Sequence, residues 1–270
     1  MKAKKGDAMK DNIVDLTLLL SEDYPCAWPA HMPFKRANWN WYERVETAAG
    51  CVLRNKYGSY HTGWLVIDEH TGTHFDAPSH YLPPPDCSVE HACKAGAITG
   101  EKVDISKMIG PAVVVDIRYL RDKGAAGVSP LYKKEDMIGW EEEHGKIQPG
   151  EIVILHTGWD DFYKRGKEGD NYFLKAYQKT GPGWPTLDAD CIEYLYESGV
   201  RCIATDGGSI GAAEDGTPMH VVGLSHEMVY VESLCGLEKL PIRGATFIFL
   251  PLKIENSSGG PGRAIAILPK

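Results

Sequence analysis

The chain has 270 residues, 43% hydrophobic and 24% charged, which is the composition of an ordinary globular protein long enough to bury a substantial core. Its net charge of -8, from 29 basic and 37 acidic residues with no basic run, argues against nucleic acid or a membrane surface as partner and favours a small-molecule substrate. No apolar run is long enough to span a membrane, the lysine-bearing start lacks the apolar segment of a secretory signal, and seven scattered cysteines without a C-x-x-C pair suit reduced thiols in a cytoplasm.

Residues 1 to 12 are polar and read as a flexible N-terminus ahead of one domain over 13 to 270. Ile13 to Leu20 reads as a first strand, followed by a proline-stiffened loop from Tyr24 to Pro29. Trp28, with Trp39 and Trp41, is a candidate wall for an aromatic substrate, although tryptophans serve equally as core anchors. Residues 51 to 69 alternate as strands do, with Trp64 to Ile67 the clearest.

Then comes His70-Thr71-Gly72-Thr73-His74-Phe75-Asp76-Ala77-Pro78-Ser79-His80, three of the ten histidines and a carboxylate within eleven residues. Imidazoles with a carboxylate form the donor set that suits Zn²⁺ or Mn²⁺, and three protein ligands leave room for water. Gly72, the threonines and Pro78 oppose a helix. An extended strand would align His70, Gly72, His74 and Asp76 on one side, and Pro78 would then turn the chain so that His80 approaches from another direction. This spacing makes His70, His74 and Asp76 the expected ligands and His80 the proton carrier.

Leu82 to Asp86 is a turn or extended loop beside this stretch, and Ala112 to Ile117 a buried strand. Lys133 to His144 reads as a helix stopped by Gly145, and Glu151 to Leu155 as another strand, ending at His156. His156 is a secondary candidate, structural histidines being commoner. Residues 160 to 185 are aromatic-rich, with Gly181 to Pro185 irregular; a helix follows over Asp188 to Ser198 with Gly199 at its end. Arg201 to Thr205 reads as a strand delivering Asp206-Gly207-Gly208-Ser209. Asp206 and Ser209 are candidate substrate contacts, although Asp before glycine more often binds its own turn. Residues 245 to 254 and 264 to 268 read as final strands joined by a flexible loop, Glu255 to Gly262. Strands outnumber helices and their order is mixed, so the expected fold is a single α/β or α+β domain with a mixed sheet and flanking helices.

The segment Met219 to Glu232 says little alone, because a histidine and a glutamate twelve residues apart are no metal motif. The eleven-residue stretch gives it meaning: His70-x-Gly-Thr-His74-x-Asp76-x-Pro-x-His80 resembles the signature of the cyclase-like metal hydrolases, the family of bacterial kynurenine formamidase, isatin hydrolase and cyclic imide hydrolase. Asp15-Leu16-Thr17, Trp28-Pro29, Leu155 to Trp159 and Leu250-Pro251-Leu252 are similar to its other conserved-looking segments, so the likeness spans nearly the whole chain. The resemblance implies a swivelling β/β/α fold and a divalent metal, Zn or Mn, as one or two ions. It also implies His220 and Glu232 as further ligands or groups around the first ion, and a homo-oligomer, dimer or tetramer. The chain departs from the family at Gly207-Gly208 and at Gly260-Pro261-Gly262.

The expected activity is hydrolysis of a cyclic amide or imide C–N bond by metal-activated water with His80 as general acid and base. Arylformamidase or dienelactone-type hydrolysis is the alternative, and a non-catalytic metal- or ligand-binding protein the rival from another class. Hydrolysis by metal-activated water needs no nucleophilic serine, and none is expected.

Overall fold

The apolar runs become the centre of a mixed sheet. The computed structural model describes residues 12–269, so the expected flexible start lies, Asn12 apart, outside the described residues. Strands form at Ile13–Asp15 (β1), Lys35–Asn40 (β2), Glu43–Thr47 (β3), Gly50–Arg54 (β4), Thr62–Val66 (β5), His74–Asp76 (β6) and Ile109–Asp116 (β7). They continue at Leu131–Tyr132 (β8), Ile152–His156 (β9), Thr186–Leu187 (β10), Cys202–Thr205 (β11), Val229–Glu232 (β12), Arg243–Pro251 (β13) and Gly259–Ile267 (β14). The α-helices are Lys134–His144 (α1), Leu174–Tyr177 (α2), Ala189–Glu197 (α3) and Thr217–Ser225 (α4). Among the described residues no helix is long and apolar enough to cross a membrane. All seven cysteines are free.

β14, β13, β7, β9, β11, β12 and β6 neighbour one another in that order, and β6 also pairs with β14, so seven strands close into a ring. β7, β9, β11 and β12 run parallel, and the other pairings are antiparallel. This is the mixed α/β domain expected from the sequence. Strand alternation then separates two cores. Phe75, Val114, Ile154, Val231, Phe247 and Phe249 pack together inside the ring. The outward face carries Val113, Val153, Leu155, Ile203 and Tyr230, and the helices cover it with Met137, Leu195 and Leu224. Fully burying each such side chain contributes roughly 1.5–3 kcal/mol.

Both expected helices form where their stop and start signals lie. α1 ends at Gly145, whose φ of 87° only glycine adopts freely. α3 starts at Asp188, whose carboxylate accepts the Cys191 N–H at 2.8 Å. Four local expectations are corrected. The strand expected over Ile13 to Leu20 is three residues long, because the chain then crosses from β14 to the histidine loop, Leu16 N–H donating to Ala264 and Leu18 N–H to Thr73 Oγ1. The extended run over 70 to 76 is a strand only at His74–Asp76, since Gly72, at φ 61°, bends the chain before it. A helix, α4, opens with Pro218 in its first turn where none was expected. Finally, the supposed flexible loop from Glu255 to Gly262 is half strand, and Gly259, Gly260 and Pro261 are buried against β6.

Candidate metal and catalytic site

The site forms where the ring closes. β6 and β12 are antiparallel with His74 opposite Glu232 and Asp76 opposite Tyr230, so His74, Asp76 and Glu232 share the outward face while Phe75 turns into the core. α4, anchored on that face by Met219 and Leu224, brings His220 over the same spot. All six sequence candidates therefore meet: His70, His74, Asp76, His220 and Glu232 are buried, and His80 is partly exposed beside them.

Two backbone carbonyls orient the imidazoles. His74 Nδ1 lies 2.7 Å from Gly72 O, and His220 Nδ1 lies 2.7 Å from Gly216 O. With each Nδ1–H donated to a carbonyl, both Nε2 atoms point inward, the arrangement that metal-binding histidines use. His74 Nε2 is 3.6 Å from Asp76 Oδ1 and 3.5 Å from Glu232 Oε2, and His220 Nε2 is 3.4 Å from Asp76 Oδ2 and 3.6 Å from Glu232 Oε1. Nitrogen and oxygen ligands at about 2.1 Å from one ion in tetrahedral geometry sit about 3.4 Å apart. Asp76 Oδ2, moreover, is buried without a hydrogen-bond partner, and such an atom calls for a cation. The donors fit a divalent metal.

His70 joins through Asp76, its Nδ1 2.9 Å from Oδ1, while its Nε2 meets Ser258 Oγ at 3.0 Å. Ser258 in turn donates to Glu69 at 2.7 Å. Gly259 lies under the ring: a Cβ there would come within 2.8 Å of His70 Cε1 and 2.3 Å of Phe75 O. Gly211 does the same for His220, at 2.6 Å. These glycines serve close approach rather than flexibility.

Imidazoles and carboxylates face one another across the cluster. Burial opposes ionisation of Asp76, yet His80, His220 and His70 hold it well below the ordinary carboxylate range. Burial also opposes charge on His220, but Asp76 and Glu232 push it up to about 10. His80 moves the other way, burial taking its imidazole down to about 3 against the pull of Asp76. Its ring lies 3.9 Å from that of His70 and makes no side-chain hydrogen bond among the described residues, while its backbone N–H donates to Ala77.

A cavity of about 390 Å³ opens over the cluster, lined by His70, His74, His80, His220 and Glu232 below and by Trp28, Tyr177 and Trp184 at the sides. Trp28 stacks on Phe173 at 4.7 Å and meets Trp184 edge-on at 5.4 Å. Gly208 admits this wall, since a Cβ there would press on Phe173 at 2.8 Å and Trp184 at 3.0 Å. Ser209 lines the cavity with its hydroxyl donated to Glu232 at 2.9 Å. Asp206 does not line it: its carboxylate accepts from the Thr157 N–H at 2.7 Å and the Gly158 N–H at 2.8 Å, and so holds the turn after β9. His156 stands beside Asp206, at 4.0 Å, away from the cavity. Trp39 and Trp41 are exposed on β2 and the turn after it, and are no part of the wall. Sequence reasoning missed Tyr177 and His31 on the cavity wall and Phe173 behind Trp28; the aromatic density of residues 160 to 185 was the available signal for Tyr177 and Phe173.

A family model described as putative cyclase matches residues 14–212. The chain belongs to this family. Isatin hydrolase of Roseibium aggregatum is 36% identical over 213 residues, covering 77% of this chain and 74% of that one. Kynurenine formamidase of Bacillus cereus is 26% identical over 257 residues, covering 93% and 95%. The crystal structure of an isatin hydrolase bound to the product analogue thioisatinate superposes with a TM-score of 0.71 at 26% identity, over 99% of this chain and all of that one. The present cyclase-family protein is thus a hydrolase, with a donor set fitted to a divalent metal.

Proposed function

We propose that the protein hydrolyses the C–N bond of a cyclic amide or imide of isatin type. The observation that carries this reading is the unbonded His80 ring beside a buried imidazole–carboxylate ring at the floor of an aromatic-walled cavity. His74, Asp76, His220 and Glu232, with His70 through Asp76, would hold Zn²⁺ or Mn²⁺, as one ion or two. A bound divalent cation supplies Lewis-acid polarisation and lowers the pKa of water towards neutrality. His80, held as the free base, takes a proton from the attacking water and returns it to the leaving nitrogen. Trp28, backed by Phe173, and Trp184 orient a flat ring above it. Ser209 acts through Glu232, fixing the carboxylate rather than gripping the substrate. The likeness to isatin hydrolase supports the cyclic amide, and the fuller-length match to kynurenine formamidase supports an arylformamide as the second reading. We further infer a homo-oligomer in a reducing compartment such as the cytoplasm, in keeping with the free cysteines.

Metal analysis alongside hydrolysis of isatin, a simple cyclic imide, N-formylkynurenine and a dienelactone tests this directly. Isatin or the imide is expected to turn over at least about tenfold faster, by kcat/KM, than the other two. Preference for the formamide would replace the first reading with the second.

Metal binding is also expected to release protons. His220 keeps its proton up to about pH 10 in the metal-free protein, and its Nε2 cannot coordinate until that proton leaves. Loading at pH 7 should therefore release about one proton or more per ion, and apparent affinity should rise up to about tenfold per unit as pH increases towards 10. The metal-free fold should show the reverse dependence. Its His220 contribution is complete below the unfolded value of 6.5 and lost as pH rises through about 10. Titration calorimetry in buffers of low and high ionisation enthalpy counts the protons; an enthalpy independent of buffer would contradict this charge state.

A further inference from the structure

We propose that Glu69 and Ser258 are positioning residues for His70, a carboxylate–hydroxyl relay that fixes its tautomer and leaves Nδ1 as the nitrogen it offers to a cation. This rests on the metal-site reading above and gives His70 a direct place in it.

The relay follows from counting hydrogens. Ser258 has two donors, its backbone N–H and its hydroxyl, and each lies 2.7 Å from Glu69 Oε2. A carboxylate only accepts, so the one hydroxyl hydrogen points to Glu69. Ser258 Oγ then turns lone pairs alone to its other neighbour, His70 Nε2, at 3.0 Å. The nitrogen facing a lone pair has to carry the hydrogen, and a neutral imidazole has only one. Nδ1 is therefore the bare nitrogen, and it faces Asp76 Oδ1 at 2.9 Å. Two bare acceptors this close, both buried, call for a shared cation.

His74 and His220 are set the opposite way, each with Nδ1 2.7 Å from a backbone carbonyl and Nε2 turned inward. A carbonyl fixes a tautomer unaided, because it can only accept. A hydroxyl can accept or donate, and it dictates nothing until its own hydrogen is committed. Glu69 commits it. Donation towards a carboxylate also makes the opposite ring nitrogen a better ligand.

The surrounding structure holds the relay in place. Closure of β6 with β14 brings Ser258 beside Glu69 from 189 positions away. The Ala77 N–H donates to Ser258 O at 2.9 Å, and Asp68 Oδ1 accepts the His70 N–H at 2.9 Å, so the backbone is tied on both sides of the ring. The ring is only 7% exposed, and Gly259 leaves no room for another side chain against it.

Nitrogen-15 NMR of histidine-labelled protein, metal-free and zinc-loaded, tests the relay, with calorimetric zinc titration and circular dichroism of each variant. The His70 signals are those absent from His70→Asn. In the zinc-loaded parent the hydrogen is expected on Nε2 of His70 and on Nδ1 of His74 and His220. Ser258→Ala should lower zinc affinity about 10–100-fold and remove the preference for Nε2–H. Ser258→Thr keeps the hydroxyl and should restore both. Glu69→Gln can donate its amide to Ser258 Oγ and free the hydroxyl to donate to His70. It should therefore behave as Ser258→Ala does, and it is the second variant if that one misfolds. Zinc bound through His70 Nε2, or a folded Ser258→Ala with either the parent's affinity or its tautomer, overturns the proposal. A parent that binds no zinc sinks the metal reading instead. The metal-free spectra then decide the relay alone, and an Nε2 hydrogen unchanged in Ser258→Ala and Glu69→Gln overturns it.

Discussion

Replacing His80 with alanine is expected to lower kcat by about 10²–10⁴ while metal content stays at the unmodified level. His80 closes the short turn Pro78–His80 that follows β6, and Pro78 at its start sends the chain out of the ladder before the ring returns to the cavity. Burial keeps the imidazole neutral, and a neutral imidazole is a base. His74 and His220 differ in both respects, each being tied to a backbone carbonyl through Nδ1 and raised in pKa by facing carboxylates. The competing arrangement is concrete, since ligand atoms of His70, Asp76 and His80 lie within 4.8 Å of one another. Metal analysis of His80→Ala separates the two: metal lost in step with activity would make His80 a ligand.

Asp76→Ala should remove the metal altogether, weakening affinity well beyond about 100-fold and taking hydrolysis to background. This carboxylate is the hub of the site, 2.9 Å from His70 Nδ1, 3.6 Å from His74 Nε2 and 3.4 Å from His220 Nε2. No other candidate touches three imidazoles. Its loss also strips His220 of a counter-charge in a fully buried place, and breaking such a pair costs about 3–5 kcal/mol. Thermal unfolding of the metal-free variant is therefore expected well below that of the metal-free parent, and metal should no longer raise it. A variant that still held a full equivalent of metal would mean that His74, His220 and Glu232 suffice.

The metal-type donor set was legible because most of it is local in the chain. His70, His74, Asp76 and His80 declare themselves by residue type and density within eleven positions. The buried strands Ala112 to Ile117 and Glu151 to Leu155 and the helix after Asp188 were legible for the same reason, since periodicity and caps are local signals. His220 and Glu232 had no such signal, and only the family resemblance pointed to them. Gly259 looked like a loop residue because nothing in its neighbours tells that a histidine from 189 positions earlier rests on it.

Asp206 and Ser209 mark another boundary. Their residue types fit substrate contact, but Asp206 meets Thr157 and Gly158, and Ser209 meets Glu232, through pairings of strands far apart in sequence. The tryptophans divide likewise: Trp28 faces Phe173 and Trp184, while Trp39 and Trp41 are exposed on β2 and the turn after it. Residue types and spacing alone pointed to a metal-type donor set, to His80 as a candidate proton carrier and to a mixed α/β domain. Which donors share one point, and which aromatics wall it, depended on the register of β6 against β12, on α4 crossing that face and on the closure of β6 with β14. Those are non-local pairings, set by burial of the two cores, and no window of sequence contains them.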